Sequence, residues 1–259
     1  MTNPAHSNLI GSFIWYDQMS NDLLGAEAFY TKVVGWTLAP NTMNDQKYTL
    51  LQAGPAMIGG LMPIPEQAKG VQPAWMGYIA VDDVKAYADK VKAAGGAIHR
   101  PPTEIPNVGT FAVAGDPHGA GFMLFKGNSS EAPAQDQSAA GHIGWHELHA
   151  GDGEKAFAFY SGLFGWTKGE AMDMGAMGKY QLFNTRSGQQ GGMMTKTPQT
   201  PAPFWLHYFN VDAIDAATER VKAAGGKIVN GPMQVPTDRW IVQGLDPQGA
   251  MFALLAPKR

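Results

Sequence analysis

Two kinds of apolar pattern alternate along this chain. "SFIWYDQM" and "IGWHELHA" are short runs rich in aromatic and branched residues, the mark of strands. The period then lengthens. In "GDGEKAFAFYSGLFGW" the apolar residues Phe157, Tyr160 and Phe164 recur near helical spacing. Asp152 stands where an N-cap belongs, and the glycine of "GW" suits the helix end. "KYTLLQAG" and "KYQLFNTR" read as strands, followed by a turn and further strands at "GGLM" and "GGMM". "WMGYIAV" and "WLHYFNV" are strands that lead into second helices, "DDVKAYADKVKAAGG" and "DAIDAATERVKAAGG". The last strands are "FAVAG" with "FMLF", and "WIVQGL" with "FALLA", each pair joined by a DPxG turn.

Every element in that reading occurs twice. Trp15 answers Trp145, Tyr30 answers Tyr160 and Trp36 answers Trp166, each 130 residues apart. "VKAAGG" and the DPxG turn keep the same separation, while Tyr48 and Tyr180 are 132 apart. A register held that long is an internal duplication. The reading is therefore α+β, with two tandem βαβββ modules at 8–126 and 142–257. Residues 127–141 lie in a small, polar stretch that reads as a linker.

The ordered set, strand, helix with "FY…GW", "V.D…KAAGG", then DPxG before a last strand, resembles the vicinal oxygen chelate superfamily. That group includes glyoxalase I, bleomycin-resistance proteins and extradiol dioxygenases. The resemblance covers both copies and is closest to the two-module glyoxalase-like antigen and hydroxylase group. It implies curved, cup-shaped mixed sheets around a small molecule. It also implies a divalent ion held at three strand positions per module, usually by His, Gln or Glu. Here those positions are Trp15, Met76 and Met123 in one module and Trp145, Leu206 and Ala253 in the other. None suits a hard or borderline divalent cation. The expectation is no metal and no cofactor.

Alternation along the strands places Trp15, Asp17 and Met19 on one face, and Trp145, Glu147 and His149 on its counterpart. With Tyr78, Met123 and Tyr208 they form the expected ligand-binding set. Aromatic and thioether walls with a few polar groups suit a small organic molecule, aromatic or cationic. Glu147 is the candidate general base, His149 the acid, and the Tyr208 hydroxyl a donor to a developing oxyanion. Glu147 and His149, about 7 Å apart along one strand face, are also where an unorthodox metal site would form. The same residues have structural readings: the tryptophans as packing between modules, the acids as buried groups needing partners.

Composition narrows the classes. Of 259 residues, 44% are hydrophobic and 16% charged, with a net charge of −3, which gives no reason to expect nucleic acid, whose binders show basic patches. There is no cysteine, so disulfides and a thiolate nucleophile are excluded. The absence of a signal-peptide pattern and of an apolar run near ~18 residues leads to the expectation of a cytoplasmic protein without a membrane partner. Oligomerisation stays open. So does turnover: the leading reading binds, with or without converting, a small organic molecule. The rivals are a pure binding or sequestration module, a metal-dependent lyase or dioxygenase with non-standard ligands, and an interaction protein with a collapsed cup.

Overall fold

A computed structural model describes residues 9–41, 47–128 and 136–259; the centre of the expected linker lies outside them. The first half of the chain runs β1 (Phe13–Ser20), α1 (Leu23–Val34), β2 (Thr37–Asn41), β3 (Tyr48–Ala53) and β4 (Ala56–Pro63). It continues with β5 (Ala74–Ala80), α2 (Val84–Ala93), β6 (Ala97–Ile105), β7 (Gly109–Gly115) and β8 (Gly121–Gly127). The second half repeats this as β9 (Ile143–Ala150), α3 (Gly153–Phe164), β10 (Thr167–Asp173), β11 (Lys179–Thr185) and β12 (Gly188–Thr195). Then come β13 (Phe204–Asn210), α4 (Ile214–Ala223), β14 (Lys227–Gln234), β15 (Trp240–Leu245) and β16 (Met251–Ala256).

Each half therefore holds two successive βαβββ motifs, four in all among the described residues. The strands form two open eight-stranded sheets, ordered β2-β3-β4-β1-β5-β8-β7-β6 and β10-β11-β12-β9-β13-β16-β15-β14. Within each motif the first strand pairs parallel with the last, and the remaining pairs are antiparallel. The sequence pattern leaves out two strands per half, β2 with β6 and β10 with β14. All four lie at sheet edges. Most of their residues are exposed on both faces, so no buried face imposes an apolar alternation, and Pro101, Pro102 and Pro232 fall in the two longest.

Asp22, Asp83 and Asp152 cap three of the helices through side-chain bonds to backbone N–H groups. The first helix of each half ends on a left-handed glycine, Gly35 or Gly165.

The tertiary contacts gather the chain into two compact units. Unit 1 comprises Met1–Trp15, Gly77–Pro133 and His146–Trp205; unit 2 comprises Tyr16–Met76, Ala134–Trp145 and Leu206–Arg259. Each unit takes one motif from each half of the sequence. In unit 2 the Tyr30 hydroxyl accepts from Trp75 Nε1 (2.8 Å) and donates to Asp246 Oδ2 (3.1 Å). Asp246 Oδ1 accepts from the N–H groups of Gln248 and Ala250, which shapes its turn. Burial pushes the Asp246 carboxyl up and the Tyr30 hydroxyl well up. Unit 1 repeats the device: Tyr160 accepts from Trp205 Nε1 (2.9 Å) and lies against Asp116, the carboxylate of the other turn. The "FY" and DPxG motifs thus meet across the duplication. In unit 2 the pairing satisfies a phenol and a carboxylate that the core would otherwise bury at a cost of several kcal/mol.

Candidate functional site

In unit 1, β9 presents Glu147 and His149 on the same face. The ladder sets Glu147 opposite Gly192 and His149 opposite Met194 on β12, and Met194 opposite Tyr180 on β11. Residues paired across a ladder project from the same face, so these side chains share one surface. The Tyr180 hydroxyl donates to Glu147 Oε2 at 3.0 Å. The other oxygen, Oε1, lies 2.8 Å from His149 Nε2, at ion-pair distance but outside hydrogen-bond alignment. The imidazole stacks on Phe204 with centroids 4.8 Å apart and planes at 3°. Glu147 is 9% exposed and His149 half-buried.

Glycine makes this arrangement possible. A Cβ on Gly192 would lie 2.2 Å from Tyr180 Cε1, so the ring occupies the space a side chain would need. The residue before it, Gly191, lets β12 approach β9: a Cβ there would meet the His146 carbonyl oxygen at 2.0 Å.

Unit 2 carries the same frame with different chemistry. The ladder sets Asp17 opposite Gly60 and Met19 opposite Met62. Tyr48 donates to Asp17 Oδ1 at 2.6 Å, and a Cβ on Gly60 would lie 2.1 Å from that hydroxyl. Asp17 is buried; Tyr48, Met19 and Met62 are half-buried. Methionine stands where unit 1 has its imidazole.

The remaining expected residues are distributed as follows. Tyr78 and Met123 are buried in unit 1 and directly opposed in the ladder of β5 with β8, with Phe125 edge-on to Tyr78. Trp15 is half-buried and belongs to unit 1; Trp145 is half-buried and belongs to unit 2. Tyr208 is buried in unit 2 opposite Ala253, and its hydroxyl accepts from Gln243 Nε2 at 2.7 Å. Sequence reasoning gave the acids a need for partners without naming them. The structure gives each a tyrosine hydroxyl, and adds Phe204 behind His149. The readable signal was the repeated "KY" strand followed by a double glycine.

His146 lies on the opposite face of β9. It is fully buried, stacks on Phe13 (4.4 Å, 9°) and donates from Nδ1 to the Gln190 carbonyl at 2.9 Å. Burial lowers its pKa to about 4, so it stays neutral and has no part in the Glu147 surface. Buried His207 sits edge-on to Tyr16 at 5.1 Å.

The side chains do not fit the divalent ion that the resemblance implies. The inherited ligand positions hold tryptophan, methionine, leucine and alanine. Among the described residues no three His, Cys, Asp or Glu side chains gather closely enough to share an ion. Glu147 and His149 offer two donors, and their third neighbour is a phenol already donating to the carboxylate.

Comparison with known proteins agrees with the fold. CFP32 of Mycobacterium bovis (strain ATCC BAA-935 / AF2122/97), provisionally named a glyoxylase, is 32% identical over 247 residues, covering 94% of each chain. The anthracycline biosynthesis protein DauV of Streptomyces sp. (strain C5) is 27% identical over 262 residues, covering 95% of this chain and 93% of its own. The Mn(II)-bound glyoxalase of Novosphingobium aromaticivorans superposes with a TM-score of 0.62 at 17% identity, covering 95% of this chain and 81% of its own, which shows a shared fold. Residues 12–124 and 140–254 each match the model of one family. The chain belongs to the glyoxalase/bleomycin resistance protein/dioxygenase superfamily, as a two-module member.

Proposed function

We propose that this protein binds a small organic molecule on the Glu147 face of unit 1 and moves a proton on it without a divalent metal. The observation that carries the reading is the contact of Glu147 Oε1 with His149 Nε2 at 2.8 Å, with Tyr180 holding Oε2. Tyr180 fixes the carboxylate at one oxygen, which sets the direction of the other, beside the imidazole. Glu147 takes a proton from a carbon beside a carbonyl; the C–H bond breaks and its electron pair moves toward the carbonyl oxygen. The neighbouring imidazole, half-buried, relays the proton toward solvent and back. A positioned acid–base pair of this kind contributes about 10²–10⁴ in rate. Phe204 and Met194 supply apolar wall for the body of the molecule. Tyr208 belongs to the other unit, and we assign it no role beside Glu147.

The test is solvent deuterium exchange into phenylacetone followed by NMR, using chelator-treated protein. Exchange above the buffer rate is expected, falling about 10²-fold or more in Glu147→Gln. Exchange that is equal in wild type and Glu147→Gln, or that needs added metal, would falsify the reading. Saturable binding of phenylacetone with no exchange favours pure sequestration, for which Met194 and the Phe204 ring stacked on His149 already speak.

A further inference from the structure

The unit 1 sheet has a second face, away from Glu147, and a cavity of about 100 Å³ opens there. Residues of α3, β10, β11 and β12 line it. Phe157, Gln181 and Met193 are its buried lining; Glu154, Lys168 and Lys179 are its exposed rim. Gln181 and Met193 are paired in the ladder and share this face, whereas their neighbours Tyr180 and Met194 share the other with Glu147. Gln181 is 7% exposed. Its amide nitrogen donates to the carbonyls of Gly169 (2.9 Å), Glu170 (3.3 Å) and Leu182 (3.0 Å). Gly169 and Glu170 stand where the register of β10 shifts, so the amide pins that bulge. Three carbonyls around one end of the amide require its NH₂ there. The oxygen therefore turns to the cavity, an acceptor without a partner among the described residues. The charged rim is also unneutralised. Lys168 holds its ammonium 5.2 Å from the centroid of the Phe157 ring. Among the described residues neither lysine of the rim nor Glu154 has an ion-pair partner. The first amides of α3 contribute nothing, because Thr195 and Asp152 already accept from them. Unit 2 lacks the arrangement. Leu24 and Leu38 stand at the places of Glu154 and Lys168, and Thr49, at the place of Gln181, donates to Glu27.

We infer that this cavity binds a small α-amino acid with a short apolar side chain. The ligand's carboxylate meets the ammonium groups of Lys168 and Lys179. Its own ammonium donates to Gln181 Oε1 and faces Glu154, and its side chain lies on Phe157 and Met193. The size agrees: an apolar cavity of about 150 Å³ holds benzene. A smaller one with a wet, charged rim takes a short aliphatic chain and leaves both charged ends near the mouth. The site lies on the opposite face from Glu147 and stands or falls separately from the proton transfer proposed there.

Met193 and Met194 adjoin in sequence and report on opposite faces, so ¹³C-labelled methionine methyls locate a ligand directly. The full chain is titrated with L-valine, with isobutylamine, which lacks the carboxylate, and with 2-hydroxy-3-methylbutanoate, which carries a hydroxyl in place of the ammonium. Met193 is expected to shift saturably with L-valine while Met194 stays still. Affinity should fall roughly tenfold for either of the other probes. The double variant Lys168→Gln/Lys179→Gln should weaken L-valine about fivefold and Glu154→Gln about threefold; all three side chains are exposed, so the fold is kept. Gln181→Met removes the acceptor and should cost roughly tenfold. Because that change also releases the β10 bulge, the exposed variants decide the matter if it does not fold. Absence of a saturable Met193 shift, or a shift of Met194 in its place, overturns the site. Equal binding of isobutylamine, or undiminished binding in the double lysine variant, overturns the carboxylate's place in it. Equal binding of the hydroxy acid overturns the assignment of an amino acid.

Discussion

Two copies of one ancestral surface sit in the two units, and they differ where chemistry would be done. In unit 1 a glutamate has a tyrosine on one oxygen and an imidazole beside the other. In unit 2 an aspartate has the same tyrosine, and a methionine takes the place of the imidazole. The glycine under each tyrosine ring is kept in both. What has been held constant is the bond that orients a carboxylate; what has changed is the group beside it, an imidazole in one unit and a thioether in the other. Frame and neighbouring group are therefore separable here, residue by residue.

The largest difference between the units should appear in acid. His146 of unit 1 is neutral in the fold, with a pKa lowered to about 4 from 6.5. Between these values the unfolded chain binds a proton that the folded chain refuses, so stability falls as pH drops from 6.5 to 4. The loss is on the order of 3 kcal/mol and is absent above pH 6.5. Its counterpart in unit 2 is Tyr16, whose buried hydroxyl is raised far from the acid range. Denaturant melts at a series of pH values should show this slope in wild type and lose most of it in His146→Tyr. A slope unchanged by that substitution would assign the acid sensitivity elsewhere.

The glycines under the rings come next. Gly192→Ala and Gly60→Ala should each cost about 2 kcal/mol, because the added methyl must push a tyrosine ring off its carboxylate. Equal losses would confirm that the two surfaces are built alike. A cost confined to one copy would break the comparison. Tyr180→Phe and Tyr48→Phe keep the ring and remove only the bond to the acid, for about 1.5 kcal/mol each. Combined with its neighbouring glycine change, each should add little, since both remove the same bond.

The smallest effect concerns the DPxG turns. Gln248 of unit 2 accepts from Ser20 and from the Asp22 N–H, and donates to the Asp22 carbonyl. The equivalent residue of unit 1 is His118, exposed and lying against Gly151. Gln248→Ala should cost about 1 kcal/mol and His118→Ala less than about 0.5, read as shifts in denaturation midpoint.

How far the sequence carried depends on the kind of interaction. The duplication, the helix caps at Asp152 and Gly165 and the apolar stripe of Phe157, Tyr160 and Phe164 were legible because local backbone rules and apolar period determine them. Strand alternation also put Glu147 and His149 on one face, and the structure brings them within 2.8 Å. The edge strands were not legible, since most of their residues are exposed on both faces and no buried face writes an alternation into them. Nor was the partner of each acid, because Tyr180 reaches Glu147 across an intervening strand, a non-local contact that the spacing along one strand does not encode.

The pairing of Tyr30 with Asp246 and of Tyr160 with Asp116 has a further meaning for how such a chain arises. A polypeptide of half this length would own the phenol of one core and the carboxylate of another, and could finish neither by itself. Cutting the chain between residues 128 and 136 should leave two fragments that refold only in each other's company, or as self-paired doubles. Fusion would then have turned a meeting of two molecules into a fold within one, freeing the two former equals to drift apart in chemistry while still depending on each other to stand.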